Sequence, residues 1–178
     1  MAKNSAVQIL KDQKKIVREL STNANKSINE IAKTCGFSRQ KVWRIIKNLE
    51  NNNTIWGYTA VIDDEKQDMK RYMILIKRSI QPIANEIIDR IINRELTKKS
   101  DGLRIDIINS FYATGAYDWI ITFNAPEIKI AKRFVEVVAK LFEGYISDIQ
   151  LIEELFPAQK CGIPNPEIER LREFFGDT

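Results

Sequence analysis

Residues 27–63 contain the feature that most restricts the fold, two short helical patterns separated by one glycine. Ser27 is followed by Glu30 at the spacing of a capping box, which predicts the start of a short helix. Gly36 supplies the left-handed backbone that ends this helix, and Ser38 is placed to cap a second one. The stretch therefore predicts two helices joined by a tight turn.

The second of these helices has two chemically different faces. Its aliphatic residues recur at the spacing of a single helix face, and they are Val42, Ile45, Ile46 and Leu49. Its opposite face carries basic and amide side chains, namely Gln40, Arg44, Lys47 and Asn51. This arrangement is typical of a helix-turn-helix, whose second helix enters the DNA major groove. An ordinary helical hairpin with a solvated basic face would give the same pattern.

The residues around and after the second helix favour the first interpretation. The segment G-F-S-R-Q-K-V-W-R at 36–44, followed by T-I-W-G-Y-T-A-V-I-D at 54–63, closely resembles the DNA-binding half of the Lrp/AsnC family of leucine-responsive or feast/famine regulators. In that family a G-x-S-x-x-x-V-x-R recognition segment precedes an I-x-G-Y-T-A strand. The resemblance implies a winged-helix-like DNA-binding domain over residues 1–54, followed by a connecting strand and linker over 55–70.

DNA recognition requires cations that hold phosphates and flat polar groups that read base edges. We expect Arg44 to read guanine through two hydrogen bonds and Gln40 to pair with adenine. Phosphate contacts are expected from Ser38, Arg39, Lys41 and Lys47. Trp43 lies at the edge of the apolar stripe, where partial burial is favoured and contact with a base methyl or a sugar is the alternative.

The charge distribution agrees with a nucleic-acid partner for the first third of the chain. Residues 1–60 contain eleven Lys and Arg against four Asp and Glu, a net charge of +7, whereas residues 61–178 carry −3. Such asymmetry is expected when one part of a protein meets phosphate and the other meets protein or small molecules. Lysine-rich regions also improve solubility, so charge supports this interpretation without deciding it.

Composition excludes several other classes of protein. The chain has 178 residues, of which 44% are hydrophobic and 29% charged, as in ordinary globular proteins. No apolar run approaches the length of a membrane span, so a cytoplasmic location without membrane contact is expected. The chain has no histidine, and its cysteines, Cys35 and Cys161, are isolated. We therefore expect neither a metal nor a cofactor.

The remainder of the chain alternates strand and helix patterns. Strands are predicted over 71–77, 103–113, 117–124 and 145–155, with one helix opening at Pro82 and ending before Lys98 and another opening at Pro126. The order βαββαβ predicts a ferredoxin-like antiparallel sheet with both helices on one face, and hence an α+β protein. The uncovered face carries enough apolar side chains to require a second copy.

The family resemblance extends through this second domain, over residues 71–156. The sequence A-T-G-A-Y-D-W at 113–119 resembles the T-G-x-Y-D segment of the family's RAM domain, which dimerises through its sheet and forms larger oligomers. The resemblance implies an amino-acid effector site at Thr114, Gly115, Ala116, Tyr117 and Asp118. Backbone N–H groups there would hold a carboxylate, and Asp118 an ammonium group. The alternative is a plain turn with Asp118 facing water. Trp56 and Tyr58 are expected in a dimer core.

The last segment, residues 157–178, departs from the family pattern. Residues 157–162 are expected to be irregular, and a short amphipathic helix is predicted after Pro166. This helix is expected to pack on its own domain or on a partner subunit, with a specialised docking site as the sharper alternative.

These features together predict a sequence-specific transcription regulator that binds double-stranded DNA as a homodimer or a larger homo-oligomer. A non-specific architectural DNA-binding protein shares every DNA-binding feature and is the main alternative. A third candidate is an enzyme similar in architecture, the sirohaem decarboxylase, but such enzymes rely on histidines and this chain has none. No nucleotide-binding or nucleophile motif is present, so the chain is not expected to be an enzyme.

Overall fold

A computed structural model describes residues 6–176 of the protein. The chain divides into two compact units, residues 1–61 (unit 1) and residues 62–178 (unit 2). The division falls inside the segment 55–70 proposed as a linker. The outer ends of the first and last predicted domains, residues 1–5 and 177–178, lie outside the described residues.

Unit 1 contains three helices, and their apolar faces form one core. The helices are α1 (Ala6–Thr22), α2 (Ile28–Cys35) and α3 (Arg39–Asn51). The core side chains are Ile16, Ile31, Val42, Ile45 and Leu49, all of them buried. The predicted spacing of apolar residues in α3 is confirmed, because each of its buried positions belongs to the predicted stripe.

The segment after α3 differs from expectation. A strand was expected from Ile55 to Ile62, but no residue of this segment lies in a strand within the described chain. The sequence favours β structure locally, yet a strand exists only when a neighbour accepts and donates its ladder hydrogen bonds. The described part of the single chain offers this segment no such neighbour. After α3, Asn53 takes a left-handed conformation, with φ at 58°.

Unit 2 is a four-stranded antiparallel sheet with its helices on one face. The strands are β1 (Lys70–Arg78), β2 (Asp106–Tyr112), β3 (Trp119–Ala125) and β4 (Ile146–Glu153), in the order β2-β3-β1-β4. The helices are α4 (Asn85–Ile92), α5 (Glu95–Ser100) and α6 (Ile128–Leu141). This is the predicted ferredoxin-like arrangement, which is confirmed.

Alternation along the strands gives the sheet two different faces. The helix-covered face contributes Tyr72, Ile74, Ile76, Trp119, Ile121 and Phe123, which pack with α6 residues such as Phe134 and Val138. The other face, which we call the open face, carries Met73, Leu75, Phe111, Ile120 and Ile152, all half-buried or exposed. Leu75 pairs directly with Ile120 in the central strands, so the apolar part of the open face is continuous.

The helical segment opening at Pro82 is shorter and more divided than predicted. Helix α4 begins only after Ala84, which holds an extended backbone at the N-cap position. Arg94 then adopts a left-handed conformation, φ 53°, and separates α4 from α5. A left-handed residue cannot continue an α-helix, so the single predicted helix becomes two.

The tail, which we define as residues 157–176, is more ordered than predicted. Residues expected to be irregular form a small hairpin of β5 (Gln159–Lys160) and β6 (Ile163–Pro164). Its turn residues have φ values of 49° at Cys161 and 78° at Gly162. Two consecutive positive φ values are typical of a tight hairpin turn. A Cys-Gly pair predicts such a turn less strongly than an Asn-Gly pair does, so the sequence did not indicate it. The predicted helix is confirmed as a 3-10 turn, Ile168–Arg170, continuing into α7 (Leu171–Phe175).

The tail packs on its own unit through a buried charge cluster, the Asp64 hub. Asp64 is only 4% exposed, and its carboxylate lies 2.5 Å from Lys160 Nζ and 3.1 Å from an Arg71 Nη. Asn124 donates to the same carboxylate at 2.9 Å. Because Lys160 belongs to the tail hairpin and Arg71 to β1, this hub attaches the tail to the sheet.

Candidate nucleic-acid interface

The two short helices of unit 1 begin and end as their sequence dictates. The Ser27 hydroxyl accepts a hydrogen bond from the Glu30 amide at 3.2 Å, and the Glu30 carboxylate accepts one from the Ser27 amide at 2.7 Å. This reciprocal cap lowers the pKa of Glu30, chiefly through the Ser27 hydroxyl. Gly36 ends α2 with φ at 69°, and Ser38 caps α3 by accepting from the Lys41 amide at 3.3 Å. The predicted capping box and turn are confirmed.

The exposed side of α3 forms an open groove of about 890 Å³. It is lined by Ile28, Ser38, Arg39, Gln40, Lys41, Trp43 and Arg44. Six of these seven residues are the ones that the sequence selected for DNA contact, and the structure brings them together on one surface. Because Val42, Ile45 and Leu49 hold the other side of α3 in the core, this surface stays turned outward.

Arg39, Gln40 and Arg44 are the exposed polar residues with free side chains in this groove. Within residues 6–176, neither arginine takes part in an ion pair, and no hydrogen bond engages the Gln40 side chain. A guanidinium group offers a rigid pair of donors, and a carboxamide offers one donor beside one acceptor. These groups match the edges of guanine and adenine in the major groove.

Lys41 has a different environment from the one expected of a phosphate contact. Its ammonium group lies 2.6 Å from the carboxylate of Asp12 in α1 and 4.0 Å from the centre of the Phe37 ring. Asp12 is almost fully buried, and the hydrogen bond from Lys41 holds its pKa below the usual carboxyl value despite its burial. Lys41 therefore joins α3 to α1, a role that the sequence did not reveal.

Lys47 is exposed but not alone. Its ammonium group donates a hydrogen bond to the Glu50 carboxylate at 2.7 Å. This hydrogen bond raises the pKa of Lys47. The same carboxylate accepts from the Tyr58 hydroxyl at 3.1 Å. Glu50 thus attaches the segment after α3 to the helix itself, while Lys47 remains on the outer surface.

Trp43 is about half exposed. Its side chain was predicted at the edge of the apolar stripe with partial burial favoured, and 53% of its surface is exposed. Its neighbours Val42 and Ile45 fill the core, so no room is left for the indole on that side.

The predicted effector residues lie where β3 begins, on the other unit. The Asp118 carboxylate accepts from the Arg78 amide at 2.9 Å and forms an ion pair with Arg78 Nε at 3.3 Å. Tyr117 donates its hydroxyl to Gln150 at 2.8 Å. Gly115 has φ at 146°, a conformation that side chains disfavour. Asp118 is thus paired with the Arg78 side chain rather than facing water alone. Thr114 and Ala116 complete the turn, and their role in effector binding stays a prediction.

Other chemistry is limited in the described part of the chain. No group of three or more potential metal-ligating side chains is found among residues 6–176. Cys35 is buried in the unit 1 core, and burial raises the pKa of its thiol. None of the described helices combines the length and apolar content needed to cross a bilayer.

Comparison with known proteins identifies the N-terminal segment directly. A family model described as winged helix-turn-helix DNA-binding matches residues 13–55, which include α2 and α3. No curated protein sequence matches the chain significantly.

Solved structures resemble most of the chain in fold. An AsnC family transcriptional regulator from Agrobacterium tumefaciens is 19% identical, with a TM-score of 0.64, covering 84% of this chain and 92% of that one. A transcriptional regulator from Neisseria meningitidis in complex with L-Met is 17% identical, with a TM-score of 0.63 and coverage of 88% and 96%. AsnC from E. coli is 15% identical, with a TM-score of 0.56 and coverage of 84% and 94%.

The resemblance predicted from residues 36–63 and 113–119 is confirmed at the level of fold, because the likeness spans both units. The chain therefore has the two-unit fold of the AsnC-type transcriptional regulators, and its residues 13–55 match a family model described as winged helix-turn-helix DNA-binding.

Proposed function

We propose that the protein is a sequence-specific DNA-binding regulator of transcription of the Lrp/AsnC type. One observation carries the proposal: α3 presents Gln40 and Arg44 outward with free side chains, while its opposite side is locked into the core. A helix anchored in this way enters the major groove as a rigid unit and holds the side chains of Gln40 and Arg44 in position for base contact.

The groups on α3 divide into two roles. Arg44 forms two hydrogen bonds with a guanine and Gln40 pairs with an adenine, and these contacts determine the sequence. Arg39 and Lys47, with the Ser38 hydroxyl, contact phosphates and set the position of the helix on the duplex. Lys41 keeps its ion pair with Asp12 and joins α3 to α1.

The net charge of +7 over residues 1–60 supports the same partner. Each phosphate neutralised by a cation releases a counterion, so binding should weaken steeply as salt rises.

Assembly into a homodimer or a larger homo-oligomer is part of the proposal, and two surfaces support it. The open face of the sheet presents Leu75 and Ile120 in its centre. The segment 55–62 has no strand partner among residues 6–176, and its Trp56 is 94% exposed. Pairing of this segment with its copy in a second chain would satisfy its backbone and cover the indole. Two recognition helices would then reach successive major grooves, about 34 Å apart.

An amino-acid effector acting through residues 114–118 is the regulatory part of the proposal. The regulator from Neisseria meningitidis is a complex with L-Met, which supports ligands of this class for the fold. In this chain an effector ammonium group would replace Arg78 as the partner of Asp118, and turn amides would bind its carboxylate. Genomic footprinting of the purified protein with and without a panel of amino acids tests this step. A footprint that no amino acid alters would contradict it.

An architectural DNA-binding protein is the second candidate, because cationic recognition surfaces also serve non-specific binding. Salt titration on a selected duplex and on random duplexes of equal length separates the two functions. A regulator should keep at least a roughly thousandfold preference for the selected duplex near physiological salt. Equal affinities at every salt concentration would establish the architectural function instead.

A further inference from the structure

Trp43 is a large, mostly apolar side chain on α3 that remains exposed to solvent. It is 53% exposed, whereas Val42, Ile45 and Leu49 of the same helix are buried in the core of unit 1. An exposed indole contributes little to stability, and indoles are favoured where one end is apolar and the other meets a polar partner. Its position therefore calls for a contact outside its own unit.

Trp43 is placed among the groups that read bases. It follows Gln40 by three residues and precedes Arg44, so all three lie on one side of α3 and line the same groove. Three residues advance a helix by about 4.5 Å, which is between one and two base-pair steps of about 3.4 Å. The indole therefore faces base pairs next to the one read by Gln40.

We propose that Trp43 is a specificity-determining residue that reads thymine, through contact of the indole with the C5 methyl group. In the major groove, thymine alone presents an apolar group, and its O4 acceptor lies beside that methyl. The indole offers the matching pair, an apolar ring and a single N–H donor. Ile28 lines the same groove and extends the apolar surface. The inference rests on the proposed DNA-binding function and adds a base preference to it.

Deoxyuridine scanning tests which thymine C5 methyl group, if any, contributes to binding. The full chain first selects its preferred duplex from a random pool. Each thymine of that duplex is then replaced singly by deoxyuridine, which lacks only the C5 methyl. One replacement per half-site should weaken binding about fourfold, the value expected for one buried methyl, and replacements elsewhere should have little effect.

Two variants assign the effect to the indole. In Trp43→Ala the sensitive position should become insensitive to deoxyuridine. In Lys47→Ala, the matched control, overall affinity should fall while the fourfold effect remains, because a phosphate contact carries no base information. Measurements at reduced salt keep weak complexes within range, and circular dichroism spectra verify that each variant is folded.

The outcomes separate this inference from the proposed function. A selected duplex that tolerates every deoxyuridine overturns the thymine contact and leaves a sequence-specific regulator. A deoxyuridine effect that persists in Trp43→Ala also overturns it, because another residue then reads the methyl. If the chain selects no sequence at all, both the proposed function and the thymine contact are wrong.

Discussion

Arg44 and Lys47 lie one turn apart on the outer side of α3 but differ in their partners. Lys47 is already paired with Glu50 at 2.7 Å, whereas Arg44 has no ion pair in the described chain. A free, planar guanidinium is suited to a base edge, and a mobile ammonium on an exposed pair can turn to a phosphate at little cost.

This difference predicts two kinds of binding defect. Arg44→Ala should weaken binding to the selected duplex by about 1–3 kcal/mol and relax the preference at one base position. Lys47→Ala should weaken selected and random duplexes alike and reduce the slope of the salt dependence by about one. Gel-shift titrations at several salt concentrations measure both. If the two variants lose equal affinity on both kinds of duplex, the roles assigned to these residues are wrong.

The Asp12–Lys41 pair predicts a pH-dependent stability. The pKa of Asp12 is lowered in the folded protein, so its carboxylate stabilises the fold above the usual value of 3.8, and this contribution is lost as pH falls through the folded pKa. Asp12→Asn should lower the denaturation midpoint at neutral pH. As the pH falls below about 4, the variant should lose less stability than the wild type, because it has no carboxylate to protonate at this position. In a Lys41→Met background, the same change should have a smaller effect, because the pair is already broken. Independent, additive effects would contradict a direct pairing.

At the scale of elements, the turn between α2 and α3 contains one residue in the left-handed conformation, Gly36. Gly36 has φ at 69°, and a Cβ added there would have no atom within 4 Å. Substitution at this position is therefore penalised by backbone conformation alone, without a steric clash.

Gly36→Ala should therefore destabilise unit 1 by about 1 kcal/mol. Gly57→Ala is the matched control, because a Cβ there also has open space and its φ lies outside the left-handed region. Thermal unfolding followed by circular dichroism should show a lower midpoint for Gly36→Ala. The midpoint of Gly57→Ala should be almost unchanged. Equal shifts would mean that the left-handed turn is not what limits substitution at Gly36.

At the scale of the whole molecule, the proposed assembly makes the open face of the sheet an interface. Leu75 lies in its centre, half-buried in the single chain and paired with Ile120. A charge introduced there would be buried without a partner in a dimer but would meet water in a monomer.

Leu75→Asp should therefore shift the protein from dimer or larger assembly to monomer. Lys132→Asp, on the exposed side of α6, is the control for adding an acidic group to unit 2 and should leave the assembly unchanged. Light scattering coupled to gel filtration measures the mass of each variant. A wild-type chain that is monomeric at micromolar concentration would refute the proposed interface, since obligate interfaces of this kind persist there.

Local signals were sufficient for most elements of this protein. Ser27, Gly36 and Ser38 act on backbone groups within four residues of themselves, so the limits of α2 and α3 follow from the sequence alone. A nearly continuous apolar run likewise identifies β1, and apolar alternation identifies β3. The same local reasoning placed Gln40 and Arg44 on an exposed helix face.

Tertiary structure decided the features that depend on residues distant in the chain. The partner of Lys41 lies 29 positions earlier in α1, and Asp64 meets a lysine 96 positions later. The segment 55–62 is β-prone but lacks a pairing neighbour among the residues that the structure describes. The sequence by itself determined what each segment prefers. Only the folded chain decided which charges meet and which strands pair, because ion pairs and β ladders need two partners brought together in space.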